Sequence, residues 1–345
     1  MMRIKVGIVG CGFISRRHIE ALKKIKECEV SAVCDINRGR AEKVASRYNI
    51  PHFYTDISHM LNREKLDVVH ILTPPQSHKE LAIKVMEAGC HVLVEKPLCV
   101  TVQEANQMIQ VSKKQRVKLG VIHSFLYHPV IRKLHKIIQS NFLGELVIVD
   151  MHGSVPRKGP SWFETLPGKA YGEFLPHHIY TLLSFIGQVD DIKCYCQGYI
   201  DGIPTKLSCM LRGSKGMAIL NLITHPPSRD PHIIHTIILH GTEGIIKAIV
   251  PYGIVLMHRF TTIKGFNRML SIAGYIRDST LSALDVTIKF LFKRFRPGIT
   301  HDTIIKEFIE AIKENKNPPI TAEKGKETVK ITENIIKEVL PNRHY

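Results

Sequence analysis

A glycine-bearing turn near the N-terminus limits the folds open to this chain more than any other segment. Residues Arg3 to Val9 form a short run rich in β-branched side chains, which is typical of a buried strand. The turn Gly10-Cys11-Gly12-Phe13-Ile14-Ser15 follows, and an amphipathic helix to about Glu27 comes next. Such a turn directs free backbone N–H groups and the positive end of a helix at a diphosphate. The pattern therefore predicts a dinucleotide site.

A carboxylate stands at the matching place after the second strand. The apolar run 30–34 ends in Asp35, twenty residues beyond Ser15, where it can accept hydrogen bonds from a pair of ribose hydroxyls. Its negative charge favours NAD over NADP, although the nearby Arg38 and Arg40 leave NADP open. Ser15 takes the third glycine position of the usual fingerprint. The alternative interpretation is an ordinary strand–turn–helix connection with an unrelated aspartate.

Strands and helices alternate as far as residue 122. Further strands are predicted at 53–54, 66–72, 91–94 and 118–122, with helices at 38–48, 56–61, 77–88 and 101–114. This alternation favours a parallel sheet, whose ligands bind at the carboxyl ends of the strands. Four segments fall at those ends: Gly10, Asp35, Thr73 and Glu95-Lys96. We therefore expect an α/β, Rossmann-type dinucleotide-binding domain over residues 1–122.

Beyond residue 122 the pattern changes to successive strands. They are predicted at 146–151, 192–198, 205–211, 217–222, 233–239, 244–249 and 254–257, with helices at 129–140, 175–186, 302–314 and 322–339. Strands joined by hairpins form mostly antiparallel sheets. Residues 123–345 are therefore predicted to form a second, α+β domain for substrate binding and oligomerisation.

Several motifs point to one family. They are 6–12, Thr73-Pro74-Pro75 with Ser77-His78, Glu95-Lys96-Pro97, Gly241-Thr242-Glu243-Gly244, and a closing helix from His301 with Pro318-Pro319. These motifs, of which Glu-Lys-Pro is the most specific, resemble those of the Gfo/Idh/MocA oxidoreductases, the glucose–fructose oxidoreductase and inositol dehydrogenase family. The resemblance covers nearly the whole chain. It implies a nucleotide-binding domain followed by a domain with an open-faced sheet.

The resemblance and the turn pattern together predict the cofactor site. Its residues would be Gly10, Gly12, Phe13, Ile14, Asp35, Thr73, Pro74, His78, Glu95 and Lys96. NAD is the expected cofactor, with NADP left open. No metal site is predicted, because Cys194-Tyr195-Cys196 is too tight for a typical zinc pair and no second pair follows at a suitable interval.

The resemblance also predicts three catalytic residues. It places Lys96 beside the nicotinamide and the reacting hydroxyl, where an ammonium can stabilise an alkoxide-like oxygen. A second signature matches the segment 168–180 and puts His177 in the acid/base position. Glu173 replaces the first aspartate of that signature and could orient the imidazole, while Tyr180 replaces the second. Both replacements depart from the sugar-dehydrogenase pattern and leave the substrate open.

Weaker candidates for substrate contact lie near the signature and after the fifth strand. They are His123, Tyr127, Trp162, His178 and Tyr180. His178 competes with His177 for the acid/base role, and a purely structural role for both histidines is the alternative. A lone tryptophan is more often part of a core than a stacking platform.

The amino-acid composition limits the kinds of binding partner expected for this protein. The 48 Lys and Arg residues against 31 Asp and Glu give a formal charge of +17, which favours an anionic small-molecule substrate or simply a solvated basic surface. Nucleic acid is not expected, since no known binding motif accompanies the charge. No signal peptide or membrane span is indicated, and eight scattered cysteines suggest reduced thiols in a cytoplasmic protein. A homo-oligomer, dimer or tetramer, is predicted.

The stretch 264–296 is unusual for such an enzyme. Apolar residues recur there at helical intervals, with Lys289, Lys293, Arg294 and Arg296 between them. A basic amphipathic insertion of this kind could lie on an anionic membrane. A helix that covers the open sheet or forms a subunit contact is the favoured interpretation, and peripheral membrane contact is the weaker one.

The sequence thus predicts an NAD(P)-dependent oxidoreductase that transfers a hydride between the nicotinamide and a secondary hydroxyl or ketone. Its substrate would be sugar-like: a cyclitol, a sugar or a nucleotide sugar. Two alternatives remain. One is a reductase of a non-sugar substrate in the same family, suggested by Glu173 and Tyr180. The other is a non-catalytic sensor that binds a dinucleotide.

Overall fold

A computed structural model describes residues 3–225, 233–260, 277, 280, 284 and 299–340 of the chain. The chain divides into two compact units. The first unit comprises Met1–Ser124 and Gly298–Glu333, and the second comprises Phe125–Pro297 and Asn334–Tyr345.

The first unit is built on a six-stranded parallel sheet. Its strands are β1 (Ile4–Val9), β2 (Cys28–Cys34), β3 (His52–Tyr54), β4 (Val68–Ile71), β5 (His91–Val94) and β6 (Leu119–Val121). The order across the sheet is β3-β2-β1-β4-β5-β6, and every pairing is parallel. The predicted Rossmann-type parallel sheet is therefore confirmed. The order reverses beside β1, where such sheets bind their ligands.

Helices connect these strands, and three of the five begin at a capping side chain. They are α1 (Ser15–Leu22), α2 (Arg38–Tyr48), α3 (Ile57–Arg63), α4 (His78–Glu87) and α5 (Val102–Gln115). The Asp56 side chain accepts the N–H of His59 at the start of α3. Thr101 and Glu104 form a capping box at the start of α5. The later helix α8 (Ile299–Lys313) belongs to the same unit.

The second unit contains a seven-stranded mixed sheet. Its strands are β7 (Leu146–Pro156), β8 (Val189–Ile200), β9 (Ile203–Gly213), β10 (Gly216–His225), β11 (Ile234–Gly241), β12 (Gly244–Ile249) and β13 (Ile254–Arg259). The order is β13-β12-β11-β7-β10-β9-β8. All pairings are antiparallel except that of β7 with β10, so the mostly antiparallel sheet is confirmed.

The two faces of this sheet differ. The helix α7 (Ala170–Ile186) packs against β7, β9 and β10 on the face that buries Val149, Leu207 and Leu220. On the other face, Met210 and Ile223 are 49% and 48% exposed. The remaining fully described α-helices are α6 (Pro129–Gln139), which lies in this unit, and α9 (Ala322–Val339), which has residues assigned to both units.

Three sequence-based expectations need comment. The thiols were expected to be reduced, but Cys194 and Cys209 form a disulfide because they lie directly opposite each other in β8 and β9, with their Cα atoms 4.1 Å apart. The predicted helix at 264–296 lies outside the described residues, apart from residues 277, 280 and 284. Among the described helices, none combines the length and the hydropathy that a bilayer span requires.

Candidate active site

The glycine turn that follows β1 has two different glycines. Gly10 has a φ of +96°, and a Cβ there would lie 2.8 Å from the carbonyl group of Leu72. Its lack of a side chain therefore lets the turn approach the end of β4. A Cβ on Gly12, by contrast, would meet no atom within 4 Å. The space beside Gly12 is open, as a diphosphate would need.

The N-terminus of α1 follows this turn and suits an anion. The helix has no side-chain cap at Ile14 and no acidic residue in its first turn. The positive end of the helix dipole therefore has no acidic side chain of its own first turn beside it. Ser15 is buried, and its hydroxyl donates to the carbonyl of Gly12 at 2.7 Å, which fixes the turn to the helix.

Asp35 is held beside the same turn, at the carboxyl end of β2. Its carboxylate accepts the N–H of Cys11 and the N–H of Asn37, each at 2.8 Å. Arg40 lies 3.3 Å from the oxygen that accepts from Asn37. A carboxylate offers about four acceptor positions, so these three donors leave room for a ribose hydroxyl. Sequence reasoning missed the neighbouring Ile36, a large apolar side chain that is 91% exposed.

The segment after β4 is hydrogen-bonded to the turn after β5. His78 is fully buried, and its two ring nitrogens lie 2.9 Å from the carbonyl oxygen of Pro97 and 2.7 Å from that of Thr73. The hydroxyl of Ser77 donates to that of Thr73 at 2.7 Å. His78 therefore supports the loop with Lys96, and burial lowers the pKa of its imidazole.

Glu95 is buried at the end of β5, and the half-buried Lys96 follows it. One carboxylate oxygen of Glu95 lies 2.9 Å from Nε2 of His18 and 3.4 Å from Nε2 of His301. The other accepts the N–H of Lys96 at 3.1 Å. These histidine contacts were not predicted from the sequence, where His18 appears only as a polar residue on the apolar face of α1.

The second unit places the signature histidine on α7. His177 is buried, and its Nδ1 lies 2.7 Å from the hydroxyl oxygen of Tyr180. The same oxygen accepts the N–H of Phe125 at 3.2 Å. The Phe125 ring meets the imidazole edge-on, with 5.1 Å between the centroids. Tyr180 thus supplies the partner of Nδ1 that orients the ring.

His178 has a different environment. Its ring nitrogens lie 3.1 Å from the carbonyl oxygen of Phe174 and 3.0 Å from that of Ile233. A Cβ on Gly153 would lie only 2.5 Å from its Nε2, so the ring packs tightly against β7. Burial lowers the pKa of His178 to about 4. These contacts favour a structural role for His178 and leave His177 the better acid/base candidate.

The other predicted residues occupy varied positions. Glu173 is half-buried in the first turn of α7. The Trp162 ring packs edge-on against Phe163 with 4.5 Å between the centroids, and Arg132 lies over the Tyr127 ring in the same unit. His123, in the first unit, is buried, and burial lowers its pKa to about 3. The structure thus gathers the predicted cofactor residues at one edge of the first sheet, while the roles of Lys96, Glu173 and His177 in catalysis stay predictions.

Comparison with known proteins identifies the family of the N-terminal segment. Residues 4–123 match the Gfo/Idh/MocA model, described as an oxidoreductase family with an NAD-binding Rossmann fold. Residues 4–123 therefore belong to the Gfo/Idh/MocA oxidoreductases. The resemblance inferred from the motifs is confirmed, and so is the NAD-binding character of the family. This Gfo/Idh/MocA segment contains the glycine turn, Asp35 and the Glu-Lys-Pro motif.

Named relatives share the N-terminal part of the chain. D-apiose dehydrogenase of Paraburkholderia graminis is 31% identical over 142 residues, which are 41% of this chain and 38% of the relative. Inositol 2-dehydrogenase of Salmonella typhimurium is 32% identical over 157 residues, 44% of this chain and 46% of the relative. The matched part thus spans less than two thirds of the length of these relatives.

A solved structure extends the likeness of fold beyond the Gfo/Idh/MocA segment. The WlbA dehydrogenase from Bordetella pertussis, in complex with NADH and UDP-GlcNAcA, has a TM-score of 0.77 at 18% identity. The match covers 99% of this chain and 97% of WlbA. The second unit therefore has the fold that accompanies this type of nucleotide-binding domain in a known dehydrogenase.

Proposed function

We propose that the protein is an NAD(H)-dependent oxidoreductase acting on a secondary alcohol, or the matching ketone, of a sugar-like substrate. The observation that supports this best is the Asp35 carboxylate, fixed by two backbone N–H groups beside the open Gly12 turn. A ribose and a diphosphate need these two features side by side. The family of residues 4–123, NAD-binding oxidoreductases, agrees with the proposal.

The cofactor would be held at the carboxyl ends of β1, β2, β4 and β5. The N-terminus of α1 and Gly12 would receive the diphosphate, and Asp35 the adenosine ribose. Phe13 and Ile36 are 83% and 91% exposed at this edge, which is unusual for large apolar side chains. A bound cofactor would cover them, which gives their exposure a function.

When bound, the cofactor would supply the nicotinamide ring for the hydride transfer. The ammonium of Lys96 would stabilise the negative charge that develops on the reacting oxygen. The imidazole of His177 would take the hydroxyl proton in oxidation and return it in reduction. Tyr180 would orient that imidazole through Nδ1, and Nε2 would transfer the proton. Glu173, one helical turn before His177, would add negative charge on the same helix.

The substrate class rests on the relatives and on charge. D-apiose and inositol dehydrogenases act on polyhydroxylated compounds by name, and the WlbA structure contains UDP-GlcNAcA. The formal charge of +17 favours anionic ligands at long range. We therefore place sugars or cyclitols with an acidic or phosphate-bearing group first, with nucleotide sugars among them.

A substrate screen tests the proposal. The purified protein would be incubated with NAD⁺, or with NADH, and a panel of cyclitols, sugars, sugar acids and nucleotide sugars, while absorbance at 340 nm is recorded. Turnover with one class, abolished in Lys96→Met with little loss of NADH affinity, is the expected result. Tight NADH binding without turnover across the panel would instead favour the sensor. Turnover confined to non-sugar ketones would favour the alternative reductase.

A further inference from the structure

Glu95 lies among five histidines, four of them buried and one partly exposed, from four elements and a strand end of the first unit. His18 of α1 and His301 of α8 contact one carboxylate oxygen directly, at 2.9 and 3.4 Å. His70 of β4 reaches it through His18, since the two Nδ1 atoms are 2.9 Å apart. His78 of α4 and His123 after β6 also interact electrostatically with Glu95. Five imidazoles thus interact, by direct contact or electrostatically, with the residue that precedes Lys96.

The contacts assign the hydrogens on two of these rings. Of the facing Nδ1 atoms of His18 and His70, one must donate and the other accept. Nε2 of His70 is buried and has no hydrogen-bond partner among the described atoms. If His18 donated, the hydrogen of a neutral His70 would sit on that unpartnered Nε2, and orphaned buried N–H groups are rare. His70 therefore donates, and a neutral His18 carries its hydrogen on Nε2, directed at Glu95.

The chain of donors runs from His70 through His18 to Glu95 and ends on a carboxylate. Burial alone would raise the pKa of Glu95, but the hydrogen bonds from His18 and His301 outweigh it and hold the pKa well below its usual value. Burial lowers the pKa of His18 and of His70 and keeps both rings neutral near pH 7. Glu95 therefore stays ionised, and its second oxygen holds the N–H of Lys96 at 3.1 Å.

We propose that His18 and His70 are positioning residues that act on Lys96 by fixing the Glu95 carboxylate. The inference rests on the proposed function, in which Lys96 stabilises the reacting oxygen. The Glu95 carboxylate acts on Lys96 through the peptide N–H of Lys96. The orientation of that peptide group sets the direction in which the lysine side chain leaves the strand end.

A metal site is the competing interpretation of the same side chains. His18, Glu95 and His301 offer three ligand atoms within 4.8 Å of one another, and two histidines with a glutamate can bind zinc. A metal would need the lone pair on Nε2 of His18. That arrangement would move the hydrogen of His18 to Nδ1 and leave an orphaned N–H on His70. The hydrogen-bond chain avoids this cost.

Two substitutions of His18 separate positioning from packing. The amide of His18→Gln can still donate to Glu95 from the place of Nε2, whereas His18→Leu cannot. We expect His18→Leu to lower kcat about tenfold, the effect of one lost hydrogen bond to a charged group, and His18→Gln to recover most of it. In His18→Leu the pKa of Glu95 should rise, because burial is opposed by fewer donors. As the buffer is made mildly acidic, His18→Leu should therefore lose activity at a higher pH than the wild type does.

A readout without turnover keeps failure of the inference distinct from failure of the proposed function. In amide NMR spectra, the Lys96 resonance should move in His18→Leu but not in His18→Gln, and imidazole ¹⁵N shifts should show hydrogen on Nε2 of His18. His91→Asn is the matched control: His91 begins the same strand, β5, and only its Nδ1 acceptor for the N–H of Lys118 needs replacing. Should His18→Leu not fold, His301→Leu removes the other donor at a partly exposed position.

Three results would overturn the inference. The first is a Lys96 amide that does not respond to His18→Leu while the protein stays folded. The second is a change of equal size in His91→Asn, which would mean that any histidine loss disturbs the domain. The third is stoichiometric Co²⁺ binding with a visible absorption band that His301→Leu abolishes, which would establish a metal site instead.

Discussion

At the residue scale, the partner of the His177 imidazole is the most informative contact in the second unit. A phenol hydroxyl, not a carboxylate, lies 2.7 Å from Nδ1. Because a phenol is uncharged near neutral pH, Tyr180 can orient the ring but adds no negative charge to stabilise an imidazolium. The hydroxyl is itself held by the N–H of Phe125 at 3.2 Å. We infer that geometry, more than charge, is what this contact supplies.

Tyr180→Phe tests that inference. The substitution keeps the ring and removes only the hydroxyl, so we expect kcat to fall about tenfold, in line with the loss of one hydrogen bond to the acid/base group. NADH affinity should not change, because the predicted cofactor residues lie in the first unit. Tyr171→Phe on the same helix is the control, since its hydroxyl contacts Pro204 and Thr224 among the described residues. Equal losses in the two variants, measured as steady-state kcat, would count against the role of Tyr180.

Cofactor choice also belongs to single residues. Arg40 lies 3.3 Å from the Asp35 carboxylate, and its side chain is 54% exposed. The two charges have opposite effects on cofactor choice, since Asp35 favours NADH and Arg40 favours NADPH. In Asp35→Ser the carboxylate is gone and Arg40 is left to attract a 2′-phosphate. NADH affinity should weaken about tenfold or more, while NADPH affinity improves. Fluorescence titration with both cofactors measures this. A variant that still prefers NADH would show that Asp35 does not set the preference.

At the element scale, the turn between β1 and α1 offers a matched pair of glycines. Gly12→Ala places a methyl group in open space and should leave the melting temperature unchanged. The same methyl would occupy room needed by the diphosphate, so NADH affinity should fall by at least tenfold. Gly10→Ala should instead destabilise the first unit, since its φ is +96° and the new Cβ would meet the Leu72 carbonyl. Thermal melts and NADH titration of both variants distinguish the roles; a Gly12→Ala protein with normal affinity would remove that turn from the cofactor site.

The sequence predicted most elements because local signals agreed with the fold. The helix α2 and the strand β5 have the bounds expected from periodicity and caps. The helix α7 begins at Ala170, five residues before the expected start at Leu175, because it continues through Pro176. The parallel pairing of β7 with β10 could not be read from adjacent segments, since those strands lie far apart in the chain. The sequence pattern within one segment carries little information about which distant strand will pair with it.

The candidate site likewise has residues whose positions could be predicted from the sequence and contacts that could not. Gly10, Asp35 and Glu95 stand at strand ends, so alternation of strands and helices alone placed them at one edge. The bond between His18 and Glu95 joins residues 77 positions apart, and nothing in either segment signals it. A histidine on the apolar face of a helix indicates burial at most. Its partner emerges only once the sheet order is known.

At the scale of the whole molecule, the outward face of the seven-stranded sheet predicts self-association. Met210, Met217 and Ile223 are 37–49% exposed on neighbouring strands of that face. Clusters of exposed apolar side chains are normally covered, and symmetric homo-oligomers are the commonest way to do so. Light scattering should give a mass above 39 kDa, and Met210→Glu should lower it, with Lys133→Glu at an exposed position of α6 as the control. A monomer at micromolar concentration would mean that the chain covers this face itself.

Acid should destabilise the second unit through His178. Burial lowers the pKa of His178 to about 4, against about 6.5 in an unfolded chain. Well above pH 6.5 this histidine is unprotonated in both the folded and the unfolded state, so it adds no pH dependence to the free energy of unfolding. Between pH 6.5 and 4 only the unfolded state binds the proton, and the free energy of unfolding should fall by about 1.4 kcal/mol for each pH unit of acidification.

Unfolding in urea measures this slope, because Trp162, the one tryptophan, lies in the same unit and reports its unfolding. His178→Gln should be less stable at pH 7 but should show a shallower slope from pH 6.5 to 5, whereas the exposed His152→Gln should keep the wild-type slope. An unchanged slope in His178→Gln would assign the acid sensitivity to other groups.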